Sequence, residues 1–256
     1  MSLPQHFYSE YASTNTPNCS IPLIFKNFGK VISFLDRFLS FFITVYGMKS
    51  GVDFKELKEI EKRILKGIKL ENAFSSVKTV VAFDIAYNNN KYYCVAVVLD
   101  LETQKEIEIK QVSGEEIMTY SPNMIAFREG PVILDAFREL ENKPDVLIVK
   151  GMGAINPKKV GLASYVGVIT NKPCIGVAKE LIYGRLEEDK VIFDGLKKGL
   201  AIKTKEFANP VYVSPGHGID LESAVDVVSG LVDSNYKMPL PLHLAHKYVN
   251  KLKKDK

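Results

Sequence analysis

Most residues able to do chemistry lie in the middle of the chain. Asp84 stands inside an apolar run, VVAFDIAY at residues 80–87. A carboxylate there is costly to bury without a partner. It is either a metal ligand presented by a central strand or a strand-end carboxylate that caps a turn, and the apolar residues on both sides favour the first. Glu129 sits just before Gly130-Pro131. It either complements the dipole of a helix start or joins Asp84 in binding Mg²⁺, a hard ion that prefers oxygen ligands. Tyr120 and Pro122 form a Tyr-x-Pro corner that is either an ordinary turn or an aromatic wedge able to stack on an unpaired base. Gly151 and Gly153 follow the apolar run DVLIV at residues 145–149, where glycines allow a ligand close to the backbone. Lys179 closes a second apolar run and either contacts a phosphate or is solvated. His217, in SPGHG at residues 214–218, is either a general acid or base or a turn histidine. For an isolated histidine the second is the commoner case.

The elements that must position these residues can be read from the hydrophobic pattern. Residues 79–87 and 92–99 are strand-like runs separated by Asn88-Asn89-Asn90-Lys91, a turn signal, and residues 105–112 (KEIEIKQV) alternate with period two. Two short turns joining three strands predict an antiparallel meander. Beyond it helices and strands alternate. A helix is expected from Gly130 through Leu140, with Pro131 at a favoured early position, and a strand over 145–149. Next come a helix over 158–168, a strand over 173–178 and candidate strands over 199–203 and 210–213. Helices are expected over 221–232 and 242–254, the last basic and amphipathic. This order predicts an α/β fold with a mixed sheet, its first three strands antiparallel, flanked by helices.

Composition narrows the class. The 256 residues are 46% hydrophobic and 25% charged, enough for a substantial core. The formal net charge of +4 is a mild bias toward an acidic partner such as nucleic acid. Cys19, Cys94 and Cys174 form no CxxC pair and no metal-site spacing. Scattered cysteines suit a reducing cytoplasm, and Cys94 and Cys174 are expected in the core. Residues 1–47 differ from the rest: a polar, irregular start precedes an apolar, aromatic stretch over 31–46 interrupted by Asp36 and Arg37. That stretch falls short of the roughly 20 apolar residues that span a bilayer. Residues 1–47 are expected to be a leader, disordered or a mis-assigned start, and 48–256 the working domain, with no membrane role and most simply a monomer.

Together the motifs are more specific than any one of them. VVAFDIAY, YSPNMIAFREGP, PDVLIVKGMG, INPKKVGLASYVGVITNKPCIGVAKELIYG and VYVSPGHGIDLESAVDVV resemble, in order and spacing, the endonuclease V family, over roughly Met48 to the C-terminus. The resemblance implies a ribonuclease-H-like sheet and Mg²⁺-dependent cleavage of DNA or RNA 3′ to a deaminated purine, inosine, with Mn²⁺ as a substitute ion. Carried over by match, Asp84 and Glu129 resemble the metal-binding carboxylates, and Tyr120 with Pro122 the strand-separating wedge. Gly151 and Gly153 resemble the backbone pocket for the flipped base, and Lys179 and His217 the active-site lysine and histidine. Two positions depart from the family pattern. Lys150 stands where the family has a metal-ligating aspartate, and Asn123 follows Pro122 where glycine is usual. A protonated ammonium offers no lone pair and repels Mg²⁺, so Lys150 predicts impaired cleavage. Its ammonium is expected beside Asp84 and Glu129. The alternative is a protein that recognises inosine and no longer cuts. A generic ribonuclease-H-like nuclease would need a late carboxylate cluster. Asp220, Glu222 and Asp226 are available but read more simply as the start of a solvated helix.

Overall fold

Two hairpins set the frame. In the computed structural model, which describes residues 54–255, β1 (Thr79–Asn88) and β2 (Lys91–Asp100) pair antiparallel, and β3 (Glu106–Glu115) pairs antiparallel with β2. The β1–β2 turn is Asn89-Asn90, with φ of 49° and 59°, the left-handed pair that a two-residue hairpin needs and that asparagine tolerates. The expected meander is therefore present. β4 (Val146–Val149) lies parallel to β1, and β5 (Cys174–Ala178) parallel to β4. β9 (Val211–His217) runs antiparallel to β5. β8 (Leu196–Ile202), β7 (Lys190–Phe193) and β6 (Arg185–Glu187) continue the sheet antiparallel, giving the order β3-β2-β1-β4-β5-β9-β8-β7-β6. This is the mixed, ribonuclease-H-like sheet expected from the sequence.

Five α-helices accompany the sheet among the described residues: α1 (Phe54–Gly67), α2 (Ile125–Arg138), α3 (Leu162–Thr170), α4 (Leu221–Ser229) and α5 (Leu240–Lys254). Alternation along the strands turns Val80, Ala82, Val95 and Val97 toward one face. There they pack with Leu242, Ala245 and Val249 of α5 and Val227 and Val228 of α4. Cys94 and Cys174 are free and buried. No helix of the described residues is long and apolar enough to cross a membrane. Residues 1–47, read above as a leader, lie outside the described residues.

Three expectations need correction. α2 begins at Ile125, five residues before Gly130, because a 3₁₀ turn at Pro122–Met124 leads straight into it. Pro131 is thus an interior residue, and only the Phe127 carbonyl loses its helical donor. The β6–β7 hairpin falls in a stretch read without strands. His217 is the last residue of β9 rather than part of a tight turn; the left-handed residue is Gly218, with φ 63°.

Candidate functional site

Register brings the chemistry to one end of the sheet. Phe83 pairs with Val149, and Val149 with Gly176. Asp84 and Lys150 are therefore the next residues along β1 and the β4 exit, and Lys179 follows the end of β5. Asp84 is 4% exposed and turns toward α5, on the same side of β1 as Val80 and Ala82. Lys150 Nζ lies 2.6 Å from Asp84 Oδ1, and His246 Nδ1, from α5, lies 2.5 Å from Oδ2. Asn250 Nδ2 stands 3.0 Å from His246 Nε2. The amide N–H donates to that nitrogen, which leaves the ring proton on Nδ1, facing the carboxylate. Both oxygens of Asp84 are thus held by cationic or hydrogen-donating groups of the chain itself.

Glu129 reaches the same place from α2. It lines a cavity of about 30 Å³ with Phe83, Asp84, Ile133, Lys150 and Leu162. Burial pushes the Glu129 carboxyl up to about 7, and the negative charge of Asp84 adds to the rise, against the pull of Lys150 and Arg128. Glu129 therefore exchanges a proton near neutrality. Lys179 is exposed at the end of β5. Its pKa is lowered, first by burial and then by repulsion from Lys150, with Lys237 adding to the effect and Asp84 opposing it. Lys150, Asp84 and Lys237 thus all lie close enough to Lys179 to act on its charge.

A divalent ion does not fit the residues as they stand. Among the described residues no three His, Cys, Asp or Glu side chains are grouped to hold a metal. Lys150 also puts a positive charge on the oxygen that an ion would use.

The Tyr-x-Pro corner leads into the helix that carries Glu129 and is pinned by one arginine. Tyr120 is 59% exposed, and Pro122, also exposed, opens the 3₁₀ turn that enters α2. The Arg128 guanidinium, 8% exposed, stacks 3.5 Å from the Tyr87 ring centroid and 5.5 Å from that of Tyr120. It also donates to Glu116 Oε1 at 2.7 Å and to the Met118 carbonyl at 3.0 Å. Arg128 ties the segment that carries Tyr120 to the helix that carries Glu129.

Gly151 and Gly153 follow Lys150, and packing within the chain accounts for the second. A Cβ on Gly153 would lie 2.2 Å from the Pro215 carbonyl oxygen, and the Gly153 N–H already donates to Ser214 Oγ at 2.8 Å.

The structure does not bring His217 to this cavity. His217 pairs with Cys174, at the start of β5, so it lies at the opposite end of the sheet. There it lines a separate cavity of about 540 Å³ with Lys69, Asn72, Asp145 and Lys172. Burial and the Lys69 charge lower its pKa, while a hydrogen bond to the Gly67 backbone opposes them. The Lys69 N–H donates to Nδ1 at 3.3 Å, and the Gly218 N–H donates to the Lys69 carbonyl at 2.7 Å. His217 thus clasps the end of α1 to β9, a structural task.

The residue that sequence reading missed is His246. Its signal was present: Leu242, Ala245 and Val249 form the buried stripe of α5, and His246, four residues after Leu242, borders that stripe.

Comparison with known proteins bears on the family and the fold. The profile of the endonuclease V family matches residues 62–247. An endonuclease V of Dictyoglomus thermophilum is 35% identical over 202 residues, covering 76% of this chain and 86% of that protein. One from Methanopyrus kandleri is 37% identical over 199 residues, covering 75% and 85%. The crystal structure of endonuclease V from Streptomyces avermitilis superposes with a TM-score of 0.74 at 27% identity, over 80% of this chain and 95% of that one. The Ciona intestinalis enzyme, solved in complex with a 24mer DNA containing an inosine followed by a ribo-adenosine, superposes with a TM-score of 0.70 at 25% identity, over 79% and 98%.

Proposed function

The chain belongs to the endonuclease V family of nucleases, and we propose that it binds inosine-containing DNA or RNA while Lys150 suppresses Mg²⁺-dependent cleavage at the Asp84–Glu129 cavity. The observation that carries this reading is the contact of Lys150 Nζ with Asp84 Oδ1 at 2.6 Å, at the position where the family pattern has an aspartate. Recognition needs the wedge and the pocket, and neither depends on Lys150. Tyr120 is exposed and oriented by Arg128, ready to stack on a base beside the displaced nucleotide. The loop at Gly151 and Gly153 lies next to the carboxylates, where a flipped base would be read by backbone groups. Lys150, Lys179 and Lys237 present positive charge to the adjoining phosphates. The complex of the Ciona relative with inosine-containing DNA supports the choice of ligand.

The chain's own residues can hold a phosphodiester and move a proton at Glu129. Among the described residues no third carboxylate completes a hard-oxygen site.

The test is cleavage of end-labelled inosine-containing DNA and RNA by the full chain, with Mg²⁺ or Mn²⁺, beside the Lys150→Asp variant and with binding measured in parallel. The expected result is inosine-selective binding by both proteins and faster cutting by the variant. Robust metal-dependent cutting by the unaltered chain, with no gain on substitution, would show that another group replaces the missing aspartate and that Lys150 does not suppress cleavage. Binding without preference for inosine would remove the recognition half of the reading.

A further inference from the structure

The loop between β8 and β9 presents Phe207 to solvent, and neither packing nor turn chemistry accounts for it. Phe207 is 96% exposed. Its φ is 58°, a left-handed conformation that bulky residues rarely adopt. The Ala208 N–H donates to the Lys205 carbonyl at 3.3 Å, so Phe207 occupies the third position of a turn where glycine or asparagine is the ordinary choice. Folding alone would favour a small polar residue there. The loop is also anchored: Thr204 Oγ1 donates to the Lys237 carbonyl, and Lys205 Nζ donates to the Asn235 carbonyl at 3.0 Å.

Topology places this loop at the end of the sheet that carries the catalytic cavity. β9 begins at Val211, opposite Ile202 of β8, and Tyr212 pairs with Ala178, the residue before Lys179. Lys203 and Lys205 are exposed on the loop. Lys237, anchored to it through its carbonyl, acts electrostatically on Lys179. Glu206 is the loop's one acidic residue. Lysines flanking an exposed aromatic ring are the pattern by which proteins track a single strand: phosphates on the cations, a base on the ring.

We infer that Phe207, with Lys203, Lys205 and Lys237, forms a second nucleic-acid contact, on which a base of the unpaired strand flanking the inosine stacks. This deepens, and rests on, the proposed function. Four strand spacings separate β1 from β8, about 19 Å. That distance is about six nucleotides at the rise of a duplex, and fewer in an extended unpaired strand.

The test uses the full chain and single-stranded DNA carrying one inosine, with about ten nucleotides or about one nucleotide on the 5′ or the 3′ side, lengths chosen so that only the longer flank spans that distance. Phe207→Ala should weaken binding of the strand with one long flank about tenfold and leave binding of the short-flanked strand unchanged. Phe207→Tyr should retain affinity. The chain contains no tryptophan, so Phe207→Trp supplies its one indole, excited apart from the tyrosines, and its emission should be quenched by long-flanked strands only. Wild-type affinity in Phe207→Ala for every strand, or unmoved emission in Phe207→Trp, overturns the inference and leaves a protein partner as the occupant of the ring. If the unaltered chain shows no preference for inosine while the Phe207 length effect persists, the inosine reading fails and this contact stands.

Discussion

Replacing Lys150 with aspartate should exchange a built-in cation for dependence on an external one, and thermal stability reads that exchange directly. Lys150 and Asp84 are paired at 2.6 Å, with Asp84's side chain 3% exposed and that of Lys150 37% exposed. Removing one partner of a fully buried pair costs about 3–5 kcal/mol. Solvent reaching the lysine reduces that to about 2 kcal/mol, and the new carboxylate adds repulsion of about 1 kcal/mol. For a domain of this size each kcal/mol moves Tm by about 2–4 °C, so Lys150→Asp in chelator should melt about 6–12 °C below the unaltered chain. Mg²⁺ at one hundred times its Kd then stabilises by about 2.7 kcal/mol, recovering most of the loss. The assay is a melt in chelator and in rising MgCl₂ at constant ionic strength. Lys150→Met serves as a variant that loses the ion pair but gains no ligand, and it should be destabilised without rescue. An unaltered chain whose Tm climbs with Mg²⁺ as steeply as that of Lys150→Asp would refute the reasoning.

Two further outcomes follow from the same site. Glu129 has its pKa raised from 4.5 to about 7, so the folded state holds this proton more tightly than the unfolded chain; the resulting stability is full below pH 4.5 and is lost as pH rises through 7. Glu129→Gln should therefore become the more stable protein as pH rises from 5 to 8, by about 1–2 kcal/mol once the half-buried position is allowed for, and a stability gap that stays flat across chelator melts at these pH values would count against a raised Glu129. Tyr120→Ala should leave Tm nearly unchanged but weaken inosine-strand binding about tenfold, and more than it weakens binding to an unmodified strand, whereas Arg128→Ala should lower both affinity and Tm; equal losses on both strands for Tyr120→Ala would mean that the ring only shapes the corner.

The parts of the fold legible in the sequence are those fixed by local chemistry. Apolar, β-branched runs and the Asn89-Asn90 turn define the β1–β2 hairpin, period-two alternation defines β3, and short apolar runs define β4 and β5. The β6–β7 hairpin was missed, whereas β8 was read in part, as a candidate strand over 199–203; the turn into β8, Asp194-Gly195, has φ of 50° and 76°, the left-handed pair that this dipeptide favours. β6 and β7 escaped notice because they are short and bury little: every residue of β6 is exposed, β7 fully buries only Val191, and without a buried face a strand leaves no alternation to read. The start of α2 was misplaced for a different reason. Proline is favoured in a helix's first turn, but Pro131 sits in the interior, where tertiary packing outweighs one lost hydrogen bond.

The site divides along the same line. Asp84 was legible as a lone carboxylate inside an apolar run and Lys179 as a charge closing one, while the family resemblance picked out Lys150; parallel strands in register put the carboxyl ends of β4 and β5 beside Asp84. His217 ends a strand too, but β9 is antiparallel to β5, which carries the same sequence signal to the opposite edge. Strand direction is not a local property, and nothing within SPGHG encodes it. His246 is the converse case: a helical residue far along the chain whose role depends on α5 crossing β1 at Asp84. Together, the two histidines separate what a motif can show from what topology must supply. The imidazole in the conspicuous turn-like motif clasps α1 to β9, and the one on an ordinary basic helix holds the carboxylate at the centre of the site. Lys150 completes that hold, because with both oxygens of Asp84 engaged from within the chain, the carboxylate's charge is satisfied before any ion arrives.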